Sequence, residues 1–317
     1  MFYQFVENKQ FNFQINRFLG KFYTDPKIKR EIDSILPKLI DTDIWYESLR
    51  KLAEKSESEG EFELATACFQ AGGFYLREDN ENQIYMYNKF KENFYKSYND
   101  LSLEHFKIPY ENSFLPAVRV KFENSYKTLL IHGGYDSYLE ELIPHLTHFK
   151  DLGYDVIAFE KRIKEVICFD IFYCGMDAIA MSNKSMKFEL ESLLDKNEKD
   201  KINEFISVKM EEDIDFNWKF SKGMDNTGTE TPYDFLKAIQ LHTLAGIEQM
   251  IDQDLLLLAG EEDQYVPIEA MSLLENNLVN AKSITKKIFT KKTGGEQHCQ
   301  GGRMDLAFDE IKKFLKR

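Results

Sequence analysis

Two apolar runs stand closer together than a parallel sheet allows. YDVIAF at 154–159 and VICF at 166–169 both read as strands with little solvent-facing polarity, and only six residues, 160–165, separate them. A parallel crossover needs a dozen or more residues. The two runs therefore form a hairpin, or one long strand, or a unit that belongs between them is missing.

The constraint matters because the preceding stretch predicts a parallel sheet. KTLLIHGGYDSYLEE at 127–141 reads as a strand buried on both faces, a His132-Gly133-Gly134 turn, and a helix with Asp136 as its N-cap and Glu140 and Glu141 in its first turns. Leu139, Leu142, Ile143, Leu146 and Phe149 mark one face of that helix, and Pro144 inside it should kink or split it. Strand 154–159 follows, so strand, helix and strand make a right-handed crossover unit. Two further extended segments, at 105–110 and 115–122, precede it across a turn at 111–113.

The flanking regions differ in pattern. Residues 1–100 read as a helical segment. Asp41 caps a helix carrying Ile44, Leu49 and Leu52, SESEGE breaks the chain, and two more helices follow, one through Phe62 and Phe69 and one through Phe90 and Phe94. Only one helical hairpin is visible there, so a repeat solenoid is discounted. Residues 101–177 form the first part of an α/β core. Residues 178–250 are a polar helical lid, with a loop expected at 221–231. Residues 251–317 return to the core: the buried strand DLLLLA at 254–259, the loop GEEDQYVP, a helix, the strand KKIFT at 286–290, the loop GGEQHCQGG, and a last amphipathic helix.

Composition excludes several functions. A net charge of −13 lacks the basic surface that phosphate contacts require, so no nucleic-acid partner is expected. The four cysteines form no CxxC pair, so neither a zinc site nor a disulfide framework is expected. No apolar run approaches the ~20 residues that span a bilayer. The first residues have no basic and apolar leader pattern, so the expected setting is cytoplasmic, with no membrane partner.

The chemistry lies at the ends of the late strands. Asp263 follows strand 254–259 in a loop closed by Pro267, and His298 follows strand 286–290 in a glycine-flanked loop. Carboxyl ends of sheet strands are where open α/β proteins place ligands. An aspartate that orients a histidine, and a histidine that works as general base, fit this order, which matches the last part of a Ser…Asp…His triad. The turn at Gly134 and Tyr135 is then a candidate oxyanion site. The attacking group is absent from the sequence. No Gly-x-Ser-x-Gly pattern occurs with Ser or Cys, although the strained nucleophile turn tolerates only small residues at those flanks. Cys174 is flanked by Phe172 and Met176, Ser137 lies after the wrong strand, and Ser182 and Ser185 sit in a polar helical stretch.

KTLLIHGGYDSYLEEL, GYDVIAFE, LLLLAGEEDQYVP and GEQHCQGG together resemble α/β-hydrolases of the group that includes 2,6-dihydroxypseudooxynicotine hydrolase, and the helical start NKQFNFQINRFLG resembles that group too. The resemblance covers most of the chain. It implies an α/β-hydrolase-like, mostly parallel sheet, here lacking one central βα unit, with a helical N-terminal segment and a helical lid. In this group VIAFE is followed by the helix and strand that carry the catalytic serine. Here it runs straight into KRIKEVICF, as though that block were excised at a repeated Phe-Glu. The resemblance implies serine-type hydrolysis of a small-molecule ester, amide or C–C bond without cofactor or metal, with Asp263 and His298 in the acid and base positions and no nucleophile. A pseudoenzyme that binds a small molecule or a partner, dimeric through its N-terminal helices, is the other expectation.

Overall fold

In the computed structural model the described residues are 2–316, apart from 78–79, 100, 111–112, 124, 126, 135, 160–170 and 181–182. The run at 166–169 and the six-residue spacer lie outside the described residues.

Five helices open the chain: α1 Lys9–Leu19, α2 Pro26–Ile35, α3 Thr42–Ser58, α4 Phe62–Gly73 and α5 Glu81–Ser97. Local chemistry starts several of them. Asn8 and Asp41 accept hydrogen bonds from Phe11 N and Ile44 N, satisfying donors that a helix start leaves open. Phe11, Ile15, Trp45, Leu49, Cys68, Phe69 and Phe90 close into one apolar core between these helices. The Trp45 indole donates to Ala71 O at 2.7 Å, which pairs its one polar atom inside that core.

The strands follow: β1 Leu103–Tyr110, β2 Ser113–Val120, β3 Lys127–His132 and, after α6 Leu139–Leu146, β4 Tyr154–Phe159. They form one sheet in the order β1-β2-β4-β3. The β1–β2 and β2–β4 pairs are antiparallel, and β3 pairs with β4 in parallel with Leu130 opposite Ile157. The predicted crossover is therefore present. Pro144 lies within α6 without splitting it; the helix ends two residues later and tightens into a 3₁₀ stretch, Thr147–Leu152.

An inserted group of helices comes next: α7 Gly175–Ile179, α8 Lys184–Asp195, α9 Lys199–Glu212, α10 Ile214–Thr227 and α11 Pro232–Gln240. They bury their own core of Leu190, Leu194, Ile202, Ile206, Phe220, Phe235 and Leu236. The loop expected from residue 221 is helical as far as Thr227. Gly223 is tolerated inside α10, and the helix stops at Gly228, which takes the left-handed conformation (φ 65°) of a C-terminal cap.

The chain ends with β5 Asp254–Gly260, α12 Ala270–Asn277, β6 Ser283–Phe289 and α13 Met304–Leu315. β5 and β6 pair in parallel as a separate two-stranded sheet. Among the described residues, β3 pairs only with β4 and β5 only with β6. Among the described residues the strands thus stand in two sheets, β1-β2-β4-β3 and β5-β6. They share one apolar layer, in which Val118, Val156 and Ala158 meet Leu256, Leu258 and Phe289 through Ile143, Leu146, Phe308 and Ile311. β5 is buried on both faces, since Leu257 and Ala259 point into a second cluster with Phe13, Trp218, Tyr265 and Met271. β3 is not buried on both faces, as its sequence suggests: Leu130 is 51% exposed. An apolar run specifies a buried strand only when neighbours cover both faces.

Asp155 in β4 fixes the register beside β2. Its carboxylate accepts from Phe122 N at 3.0 Å, from the Ser125 hydroxyl and from the Arg119 guanidinium. Burial pushes this carboxyl up, but the Ser125, Phe122 and Arg119 contacts outweigh it and bring it to about 2. A carboxyl depressed on folding stabilises the fold above its unfolded value near 4, and that stability is lost as pH falls towards 2; the shift corresponds to about 2 kcal/mol. Asp155→Asn should lose this stability at neutral pH and show a shallower decline between pH 4 and pH 2 in urea denaturation. Parallel profiles for the two proteins would refute the assignment.

Candidate active site

Two loops, after β5 and after β6, meet at the end of the smaller sheet. Their contact is close. A Cβ on Gly260 would lie 2.4 Å from Glu296 O and 2.7 Å from Gln297 O, so the last residue of β5 can only be glycine if the His298 loop is to pass over it. Glu262 N donates to Glu296 O at 2.8 Å and ties the loops together.

Asp263 sits at the head of the first loop with its side chain 3% exposed. Oδ1 accepts from Tyr265 N at 2.7 Å and Val266 N at 2.8 Å, a local turn that fixes the carboxylate. His298 Nδ1 lies 2.9 Å from Oδ2 and 3.1 Å from Oδ1. With Nδ1–H donating to the carboxylate, Nε2 is the basic nitrogen of the neutral ring. Burial pushes the Asp263 carboxyl up; the His298 ring and the two backbone N–H groups outweigh it and hold the carboxyl below the usual aspartate range. The histidine side chain is 26% exposed. The two residues after it, Cys299 and Gln300, have φ of 49° and 51°, a left-handed backbone that non-glycine residues rarely adopt. Such strain gathers at functional sites.

The sequence did not mark the groups around this pair. Tyr265 packs edge-on against the His298 ring at 4.9 Å, and Phe13 of α1 lies 6.4 Å from it. The Tyr265 hydroxyl donates to Gln10 Oε1 of α1. From the inserted helices, Lys219 of α10 places its ammonium 4.7 Å from the Tyr265 ring centroid. It pairs with Asp215 at 3.2 Å, with its own side chain 5% exposed. Burial lowers the Lys219 pKa and raises that of Asp215, each opposed by the attraction of the other. One signal for the α1 residues was legible. Gln10, Phe13, Gln14 and Arg17 recur at helical spacing, a stripe of mostly polar residues in a helix whose other stripe, Phe11, Ile15, Phe18 and Leu19, is also buried.

The glycine turn after β3 is folded on itself. Gly134 N donates to Ser137 Oγ at 3.3 Å, and a Cβ on Gly133 would lie 2.8 Å from that of Ser137. Tyr135 lies outside the described residues. Asp136 does not cap α6, whose N-cap is Tyr138 without a side-chain cap bond. Asp136 instead accepts from Arg17 of α1, which also grips Glu141 at 2.9 and 3.0 Å; Gln70 of α4 donates to the same carboxylate at 3.0 Å. A guanidinium fork reaching across from another unit is a stronger partner than one backbone N–H. Burial pushes the Asp136 carboxyl up, and Arg17, with a smaller contribution from His298, brings it below the usual range.

Of the serines and cysteines weighed as nucleophiles, Ser137 accepts a hydrogen bond from Gly134 N. Cys174 pairs with Thr243 in an isolated bridge, and Ser185 is exposed on α8. Ser182 lies outside the described residues. Among the described residues no group of three or more His, Cys, Asp or Glu could hold a metal ion, and no helix is long and apolar enough to cross a membrane.

Arg17 thus joins the helical segment to the glycine turn. Arg17→Met leaves two carboxylates without their cation. The expected loss is about 2–3 kcal/mol in chemical denaturation, below the fully buried case because these side chains keep some solvent contact. Arg17→Lys should recover only part of it, because an ammonium cannot reproduce the forked contact. Wild-type stability in Arg17→Met would contradict this role.

No family model and no curated protein matches the chain. Solved structures do. One described as AbyA5 wildtype aligns with a TM-score of 0.57 at 11% identity, over 92% of this chain and 98% of its own. The 2,6-dihydroxy-pseudo-oxynicotine hydrolase aligns with a TM-score of 0.51 at 15% identity, over 84% of this chain and 88% of its own. With Asp263 and His298 on the loops after two parallel strands, behind a helical segment and a helical insertion, this chain has an α/β-hydrolase-like fold.

Proposed function

We propose that this protein keeps the acid–base half of a serine-hydrolase site and lacks the covalent half. It receives a small molecule of the ester, amide or ketone kind at the Asp263–His298 pair and does not turn it over by the serine route. The observation that carries this reading is the 2.9 Å contact between His298 and a nearly buried Asp263, in a sequence with no Gly-x-Ser-x-Gly turn. The oxyanion role of Gly134 and Tyr135 belongs to the same reading. In a complete site the histidine takes the proton of the serine hydroxyl and the turn receives the negative oxygen.

The expected size of the defect is large. In subtilisin, removal of the serine alone costs about 10⁶ in turnover, and what remains comes from oxyanion stabilisation and binding. Aromatic side chains line the pair, with Phe13, Trp218 and Tyr265 in one cluster, so an apolar planar molecule suits the site.

Labelling with a fluorophosphonate probe tests the reading. The intact protein should show no stoichiometric adduct by mass spectrometry and should hydrolyse 4-nitrophenyl esters no faster than its His298→Gln variant. An adduct abolished by mutation of one particular serine or cysteine would overturn it.

A further inference from the structure

The inserted helices α7–α11 carry a core of their own. Among the described residues, every side chain of that core, and every half-buried one packed on it, lies between Cys174 and Ile239. Helices that share a separate core open as one cooperative unit rather than residue by residue. The chain enters and leaves this unit side by side, through a short neck. Gly175 N donates to His242 O at 2.8 Å, Leu244 N donates to Tyr173 O at 2.9 Å, and Cys174 bridges Thr243 antiparallel between them. A Cβ on Gly175 would lie 2.8 Å from Ile239 O, so the end of α11 closes on the neck where only glycine fits.

α10 faces two ways. Phe216, Phe220 and Met224 turn into the core of the insertion. Ile214, Trp218 and Asp225 recur on the opposite side of the helix and meet the N-terminal helical segment. Ile214 packs on that segment's core, Trp218 stacks on Phe74 at 4.9 Å, and Asp225 pairs with Arg77 at 2.5 Å. Between these two faces the Lys219 ammonium lies over the Tyr265 ring, which stands edge-on to His298. Lifting α10 therefore uncovers the Tyr265 side of the Asp263–His298 pair. The contacts that hold it down join an aromatic stack to ion pairs, and the Arg77 side chain is 46% exposed. An interface of this mixed kind, between two units that each have a core, permits one to move against the other.

We propose that α7–α11 form a lid that opens as one body about the neck at 173–175 and 242–244, latched to the N-terminal helical segment by Trp218 on Phe74 and Asp225 on Arg77. The paired neck keeps the two connections together, so the unit turns on them without losing its own core. Closed, the lid places Lys219 over Tyr265 and shields the pair on that side. Open, it exposes the Tyr265 ring and gives a small molecule a way in. Entry of a ligand rests on the function proposed above, whereas the opening itself does not, so a lid that stays shut and a site that binds nothing are separate results.

Hydrogen exchange of the full-length protein in low urea, read by mass spectrometry, tests this. Amides of α8, α9 and α11 should exchange through one shared opening, about tenfold or more faster than those of α3 and α4, whose exchange needs the N-terminal core to unfold. Arg77→Glu sets like charges against each other at the latch. It should raise the α8, α9 and α11 rates about fivefold and leave α3 and α4 unchanged. Arg77 lies outside both cores, so the variant stays folded. Nitration of Tyr265 by tetranitromethane, mapped by mass spectrometry, should rise in parallel. Exchange of α8, α9 and α11 no faster than that of α3 and α4 overturns the proposal, as do unrelated rates among the three. Wild-type exchange or wild-type Tyr265 nitration in Arg77→Glu overturns it equally.

Discussion

The hydrogen bond between Asp263 and His298 is the contact on which the rest of the site depends. Neither residue could hold the other from a free loop. β5 and β6 run parallel in register, and their two following loops leave from the same end of the small sheet. Gly260 lets one loop cross the other at backbone contact, and the Tyr265 and Val266 N–H groups fix the carboxylate before the histidine reaches it. The pair is therefore pre-organised by backbone geometry.

Among the described residues no ladder joins the two sheets, and helices connect them. In a continuous sheet, β3 and the small sheet would be joined by backbone hydrogen bonds through a central strand. Here the two sheets share side-chain packing through α6 and α13, and α1 bridges them by charge and aromatic contact. Arg17 grips the turn after β3, while Gln10 and Phe13, on the same helix face, reach the loop after β5. One helix thus touches both halves of the site. The helical segment packs against the Asp263–His298 pair as well as around a core of its own, and its polar stripe follows from that double duty.

The Asp263 and His298 positions were legible because strand, acidic loop, helix, strand and glycine-flanked histidine loop follow one another in the chain. The crossover of β3 and β4 was legible for the same reason, being local in sequence. What escaped depended on partners far away in the chain. Asp136 has the composition and spacing of an N-cap, and only Arg17, 119 residues earlier, makes it an ion-pair partner instead. Leu129, Leu130 and Ile131 have the composition of a doubly covered strand, yet Leu130 lies on a face of β3 left open to solvent. Nothing in the sequence marks Lys219; its burial against Asp215 and Tyr265 is decided by how α10 docks on the core.

The account stands on Asp263 holding His298 with Nδ1 as the donor, and the imidazole nitrogens report this directly. A ¹⁵N-edited long-range proton correlation of the histidine rings at neutral pH should show His298 with a protonated Nδ1, and Asp263→Asn should move that resonance. An Nε2-only protonated ring, or a His298 signal indifferent to Asp263→Asn, would contradict the central claim.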